Sequence, residues 1–343
     1  MSPALSPSEL AQALAREPRL SLGLRPTPLH RVPNFSKAVG ADVWLKRDDL
    51  NGVATGGSKV RKLEFLLGEA AGIDADTLVT VGAPQSNHAR TVAAAAAMHG
   101  LDCHLVLGGT RPSAPTGSLV VDLMLGARLH FAGNDDWDVL ESRAEALAKQ
   151  LRGQGRRPFV MPIGGSTRVG ALGFVGAFME LMEQMPVNEL LRCTIVHASL
   201  SGGTQAGLEL GRQLLGLPGP RILGVTVAKT AGDLSADIHD LMTQTAELLG
   251  FGRALSPPYL VDGFMGSDYA IPTPGGRAAM SLLARSEGIL TDPVYTAKAL
   301  DAVVTLASAN EFDDGPVVFW HTGGLPALFA EDQGLMRWDE WQP

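Results

Sequence analysis

Apolar residues in this chain fall in short unbroken runs. Each run is followed by a longer stretch whose apolar positions recur at helical spacing. DTLVTVGA (76–83) leads into ARTVAAAAAMHG, and CHLVLGG (103–109) into a helical pattern from about Gly117. ARLHFAG (127–133) precedes a polar helix that reaches Gln150, and PFVMPIGG (158–165) leads into VGALGFVGAFMELMEQM. CTIVHAS (193–199), RILGVTVAK (221–229) and GPVVFWHTGG (315–324) continue the series, with helices between them. Strands apolar on both faces must be covered on both faces. The pattern therefore predicts an α/β protein of open, twisted, mostly parallel sheets flanked by helices. Two sets of units are expected: a smaller α/β domain over 66–175 and a larger domain from 1–65 and 176–343, with DVWLKRDD (42–49) joining the later strands. At the amino end, Ser6 and Glu9 form a capping-box signature for a short first helix.

A length of 343 residues suits two domains, and a hydrophobic content of 45% suits a large core. The 28 Lys and Arg against 36 Asp and Glu leave a net charge of −8. An acidic surface repels phosphate backbones, so nucleic acid is not expected as a partner. No run of 18 apolar residues occurs, so no membrane span is expected. The first residues, MSPALSPSELAQALARE, lack the basic start and apolar centre of a secretory signal, which leaves the cytoplasm as the default. Cys103 and Cys193 sit in apolar runs with no CxxC or Cys/His spacing. They are expected as free core thiols in a reducing compartment, with no disulfide and no metal site.

Open α/β sheets bind ligands at the carboxyl ends of their strands, so the loops there carry the candidate chemistry. In ASLSGGTQAG (198–207) a Ser/Gly loop opens a helix near Thr204, a natural anion site. Neither GxxxxGK[ST] nor GxGxxG is present, so the anion expected is a phosphate of something other than ATP or NAD. In VATGGSKVRKLEF (53–65) Ser58 stands as an N-cap and Lys59 opens the helix, with Lys62 on the same face. The positive helix end and the cations Arg61 and Lys62 would favour a neutral Lys59 amine, able to attack a carbonyl. Two ordinary surface lysines are the alternative. GAPQSNHAR supplies Gln85, Ser86, Asn87 and His88, either as a helix cap or as ligand contacts.

TGGSKVRKLEF, GAPQSNHAR, SGGTQAG, EGILTDPVYTAK and HTGGLPALF follow one another in that order. Together, from about Leu20 to Phe329, they resemble the pyridoxal-phosphate (PLP) enzyme family that includes D-cysteine desulfhydrase and 1-aminocyclopropane-1-carboxylate (ACC) deaminase. L-cysteate sulfo-lyase looks like a near relative. The resemblance implies a fold type II, tryptophan synthase β-like enzyme that acts as a homodimer on a small amino acid. It implies that Lys59 is the Schiff-base lysine and that Lys62 helps hold the phosphate. Ser201, Gly202, Gly203, Thr204 and Gln205 would cradle that phosphate, and Asn87 would lie by the cofactor's 3′-oxygen. Thr322, followed by Gly323, would face the ring nitrogen. Ser86, with Asn87 and His88, would meet the substrate carboxylate or assist proton movement. Tyr269 and Tyr295, two of only three tyrosines, would be active-site residues.

Substrate choice within the family turns on a few positions. Deaminase-like members carry a Glu after the tyrosine motif and a leucine before the last GG. This chain has Pro274 near the first position and Thr322 at the second. A hydroxyl at the ring nitrogen stabilises a carbanion less than a carboxylate does, which suits prompt expulsion of a leaving group. The implied activity is β-elimination from D-cysteine or a similar β-substituted amino acid, with Lys59 as general base. Two positions depart from the pattern: Ser58 stands where Asn is usual, and Arg168 where a small residue is usual. Arg168 as a bidentate sulfonate ligand makes L-cysteate sulfo-lyase the alternative, with ACC deaminase third. A catalytically silent PLP-binding protein and a cofactor-free α/β binding module are the readings from other classes.

Overall fold

The computed structural model describes residues 4–252, 254–312 and 315–330. The ends of the larger expected domain, 1–3 and 331–343, lie outside the described residues. The chain opens with α1 (Pro7–Arg16), capped as expected by the reciprocal Ser6–Glu9 bonds. There follow β1 (Leu29–Arg31), α2 (Pro33–Val39), β2 (Val43–Arg47) and α3 (Lys59–Gly72). The next units alternate: β3 (Thr77–Gly82), α4 (Asn87–His99), β4 (Asp102–Leu107), α5 (Ser118–Met124), β5 (Arg128–Phe131), α6 (Trp137–Gly153) and β6 (Pro158–Met161). Then come α7 (Arg168–Gln184), α8 (Val187–Arg192), β7 (Thr194–Ser199), α9 (Gly203–Leu214), β8 (Arg221–Thr226) and α10 (Ala231–Leu248). β9 (Tyr259–Val261), α11 (Pro274–Glu287), α12 (Thr296–Ser308) and β10 (Val317–His321) close the order.

The strands form two sheets. Six make the order β1-β2-β10-β7-β8-β9, and four make β5-β4-β3-β6. Every pairing is parallel except β1 with β2. β2, the early strand, pairs with β10, the last one, as its sequence suggested. β1 and β9 lie at the sheet edges and are only three residues long, too short to stand out in the pattern. Cys103 and Cys193 are free and buried, and burial pushes both thiols up to about 12. Among the described residues no helix is long and apolar enough to cross a membrane, and no group of three or more His, Cys, Asp or Glu could hold a metal ion.

The divisions expected at 65/66 and 175/176 need correction, because both fall inside continuous helices, α3 and α7. The apolar face of α7 (Leu172, Phe174, Phe178) packs with Leu208 and Leu210 of α9 and with Trp320 of β10. α3 sends Leu63 and Leu66 into the core of the four-stranded sheet and Phe65 into the α7 core. Helix α3 thus serves the cores of both sheets, and α7 packs against it, so each cut would divide a continuous packed helix.

Under this junction lies a buried charge cluster. The Arg61 guanidinium donates to both carboxylate oxygens of Asp48 (2.7 and 2.8 Å) and to both of Glu180 (2.9 and 3.0 Å). Lys46 donates to Glu180 at 2.5 Å, and the Trp320 indole N–H to Asp48 at 2.8 Å. Two cations thus face two anions, and strand β2, helix α3, helix α7 and strand β10 each contribute a member. Burial alone would raise the Asp48 carboxyl, but Arg61, the indole and Lys46 outweigh it and hold its pKa below the ordinary value. Removing one partner strands the others in an apolar core. Asp48→Ala is expected to cost about 3–5 kcal/mol, read as a fall in the urea midpoint; a change within ~0.5 kcal/mol would show that the cluster has no such role.

Candidate active site

Three loops at strand ends converge with the start of α3. Lys59 is the first residue of that helix. Ser58 does not cap it: its backbone is already helical and its side chain makes no capping bond. Instead the Ser58 N–H donates to the Thr322 carbonyl at 3.0 Å, and the Gly57 N–H to the Asp48 carbonyl at 2.9 Å. Gly323, at φ +90°, packs on the same turn; a Cβ there would stand 2.6 Å from the Gly57 Cα. Its role is this close backbone approach, and it does not line the cavity.

The cavity is lined by Lys59, Lys62, Ser86, Asn87, His88, Ser201, Gly202, Thr204, Tyr269, Tyr295 and Thr322, all expected from the sequence. The space between its walls, open solvent at the mouth included, comes to about 660 Å³. At one end α9 begins. Its first intrahelical bond runs from the Ala206 N–H to the Gly202 carbonyl, so the N–H groups of Gly203, Thr204 and Gln205 lie ahead of the ladder. Ser166 is the hub here. It accepts from Lys62 (2.9 Å) and from the Gly203 N–H (3.2 Å), and donates to Ser201 at 2.8 Å. A Cβ on Gly203 would come within 2.7 Å of both the Lys62 Nζ and the Ser166 Oγ. Only glycine lets the helix end, the ammonium and the hydroxyls converge this closely. That donor set fits a phosphate.

Burial lowers the Lys59 amine to about 8, while its contact with Lys62 acts the other way. The expected help from Arg61 is a correction: its guanidinium turns away into the Asp48–Glu180 cluster. Burial, then the charge of Lys59, pushes Lys62 far below its ordinary value; an anion at the α9 terminus reverses that balance. Ser86 is the N-cap of α4, accepting from the Ala89 N–H at 3.2 Å, and it also lines the cavity, so both roles foreseen for it hold together. Thr80 donates to the Met161 carbonyl, so His88 Nε2 must donate to Thr80 at 2.9 Å. His88 Nδ1 is left as an acceptor. Together with the Ser199 Oγ in the same wall, it has no partner among the described residues. Burial, then Lys59 and Lys62, keeps His88 neutral.

Tyr269 and Tyr295 face each other across a short hydroxyl contact, their rings 5.7 Å apart. Withdrawal from water raises both phenols, Tyr269 to about 12. Two residues that the sequence did not flag hold them. Asp292 accepts from the N–H groups of Val294, Tyr295 and Thr296, and Lys298 donates to the carbonyls of Met265, Asp268 and Tyr269. The signal for Asp292 was present as TDPVYT, an acidic residue ahead of a helix start. Ser166 and Trp137 are the other lining or supporting residues missed.

One expectation fails. Arg168 is exposed at the first position of α7, beyond its cap Thr167, and does not line the cavity. The Gln205 side chain turns inward to His197 (2.5 Å) and the Ile222 carbonyl (3.0 Å), so only its backbone can serve an anion. Pro274 starts α11 at the surface, and Thr322 lines the cavity.

A buried lysine with a lowered pKa, beside a phosphate-type donor set at strand ends, is an arrangement that PLP-dependent catalysis requires. The chain matches the family model "Pyridoxal-phosphate dependent enzyme" over residues 20–323 and belongs to that family. It is 40% identical to the D-cysteine desulfhydrase of Serratia proteamaculans over 325 residues, 94% of this chain and 98% of that protein. It is 39% identical to the D-cysteine desulfhydrase of Salmonella typhi over 321 residues, 92% of this chain and 97% of that protein. Among solved structures, an ACC deaminase homologue superposes with a TM-score of 0.87 at 37% identity, covering 96% of this chain and 97% of the other. Maize serine racemase shares the fold, with a TM-score of 0.65 at 19% identity over 94% of each chain.

Two outcomes follow. With a pKa of about 8, roughly one Lys59 in ten is neutral at pH 7 and most are by pH 9. Uptake of PLP by the apoprotein should quicken over that window and then level off, followed by stopped-flow absorbance; a rate still climbing toward pH 10.5 would mean an ordinary lysine. Gly203→Ala should weaken PLP binding roughly tenfold or more without unfolding the chain, measured by fluorescence quenching; unchanged affinity would remove the α9 terminus as the phosphate site.

Proposed function

We propose that this chain is a β-eliminating lyase that converts D-cysteine and water to pyruvate, ammonia and hydrogen sulfide. The observation that carries the reading is that Lys59 shares one cavity with Lys62 and Ser201, both bonded to Ser166 in a phosphate-type donor set, and with Ser86 and Tyr295. Bound PLP supplies an aldehyde that holds the amino nitrogen and a ring that takes up the electron pair released at Cα. Lys59, Lys62, Asn87, Thr322 and the backbone of 201–205 are the residues that would hold it. Lys59, once its amine is free, takes the proton from Cα. The start of α4, with Ser86, Asn87 and His88, offers N–H and hydroxyl groups for the substrate carboxylate. Tyr269 and Tyr295 both stay protonated at neutral pH and can donate to the departing sulfur. The neutral hydroxyl of Thr322 at the ring suits expulsion of a leaving group.

Arg168 lies on the surface, which withdraws the cation that a cysteate reading required. The same proposal takes the enzyme as a cytoplasmic homodimer of two α/β units per chain that meet along α3 and α7, with no nucleic-acid partner. The test is a panel of D-cysteine, L-cysteine, 3-chloro-D-alanine, L-cysteate and ACC, assayed for pyruvate and 2-oxobutyrate. Pyruvate is expected from D-cysteine and 3-chloro-D-alanine, and kcat/KM should fall roughly 10²–10⁴-fold or more in Lys59→Ala. Pyruvate mainly from L-cysteate, or 2-oxobutyrate from ACC, would overturn the assignment.

A further inference from the structure

One residue in the cavity wall belongs to none of the motifs above. Trp137 is the first residue of α6, a helix that packs on the four-stranded sheet. Its indole meets the Tyr269 ring edge-on, at 5.8 Å and 71°. Tyr269 comes from the segment between β9 and α11, on the six-stranded side. The contact therefore joins, within the cavity wall, an element of the four-stranded side to one of the six-stranded side. Trp137 is only partly buried, so it sits where the cavity meets solvent.

Its position is firmly built. The Asp136 carboxylate accepts from the Asp138 and Val139 N–H groups and caps the helix directly behind the indole. Asn134 Oδ1 accepts from the Asp136 N–H at 2.7 Å and fixes the approach. One turn on, Glu141 accepts from the Ile163 N–H, and Ile163 itself lines the cavity. α6 is thus tied at two points to the walls that hold Lys59.

We propose that Trp137 is a specificity-determining residue whose indole, with the Tyr269 ring, walls the space for the substrate's β-substituent and limits it to a small, uncharged group. The proposal rests on the β-elimination reading above and deepens it. The chemistry at this end is aromatic: two ring systems and the Tyr295 hydroxyl, with no guanidinium. A thiol packs well against ring edges. A sulfonate would be buried there without a cation of its own. A longer side chain would have to displace the indole from its contact with Tyr269. One methylene against an apolar wall typically discriminates by 10- to 200-fold.

The test measures binding apart from turnover. PLP-loaded wild type, Trp137→Phe and Trp137→Ala are titrated with D-alanine, D-2-aminobutyrate and D-norvaline, and Kd is read from the visible absorption of the bound cofactor. Kd should rise at least tenfold from D-alanine to D-norvaline in wild type, less steeply in Trp137→Phe, and by less than about threefold in Trp137→Ala. The kcat/KM ratio of S-methyl-D-cysteine to D-cysteine should rise in parallel. Should Trp137→Ala fail to take up PLP, Trp137→Leu and Trp137→Phe decide the same comparison. An unchanged size dependence in the variants would overturn the proposal, as would the absence of any amino-acid spectrum in wild type. Failure of wild type to release pyruvate from D-cysteine would instead overturn the elimination reading, while the Kd series would still judge Trp137.

Discussion

The Arg61–Asp48 ion pair is the constraint on which the active cavity depends. A guanidinium with no route to water must be matched charge for charge, and here Asp48 and Glu180 surround it. The match is also geometric. Arg61 lies two residues after Lys59, so the direction in which its side chain is held fixes the rotation of the first turn of α3. With Arg61 held to β2 and α7, Lys59 and Lys62 are turned the other way, into the cavity. Such clusters are poor sources of net stability compared with an apolar core of the same volume. What this one supplies is orientation, because a helix end fixed by several charge-assisted bonds has little freedom to roll.

The same economy runs through the rest of the cavity. Several cavity-lining side chains are held by residues that do not themselves line the cavity. Ser166 holds Ser201 and Lys62, Asp292 holds the backbone at Tyr295, and Lys298 holds the loop of Tyr269. Arg90 does this for two loops at once. Its guanidinium donates to the Ala54 and Gly56 carbonyls ahead of Lys59 and to the Asn87 side chain at the start of α4. The lysine loop and the substrate loop are therefore positioned against one another and not separately against the sheets.

The fold was legible because its evidence is local. An apolar run such as LVTV or VVFW can only be a strand covered on both faces, and the loops after such strands carried the motifs. Those loops drew attention to Lys59, Lys62 and Asn87, while the resemblance of the ordered motifs assigned the roles of these residues and of Tyr295 and Thr322; Tyr295 itself lies between two helices. What the sequence concealed depends on distant partners. Arg168 is the exception: the cap signal of Thr167 stands directly before it, and the exposed helix-start arginine that this signal allows is the placement found. Nothing near Gln205 says that its amide turns inward to His197. The cause of the depressed Lys59 pKa was misread for the same reason: neighbours in the chain were counted as neighbours in space, whereas Arg61 faces away and burial does the work. Trp137 was missed because a single aromatic at a helix start has no periodicity to betray it.

One feature of the topology bears on how the molecule is made. β10 is the last strand, yet it inserts between β2 and β7 in the middle of its sheet. It brings the Trp320 N–H to Asp48, across 272 residues of sequence, and the Thr322 carbonyl to the Ser58 N–H. During synthesis, at about 5–20 residues per second, Arg61 and Asp48 leave the ribosome on the order of 15–50 s before that strand exists. Until then the central gap in the sheet stays open, the charge cluster is wet and the lysine turn lacks its anchor. Residues 48–58 and 320–322, far apart in the chain, meet at this turn, so the surroundings of Lys59 are complete only once β10 is in place.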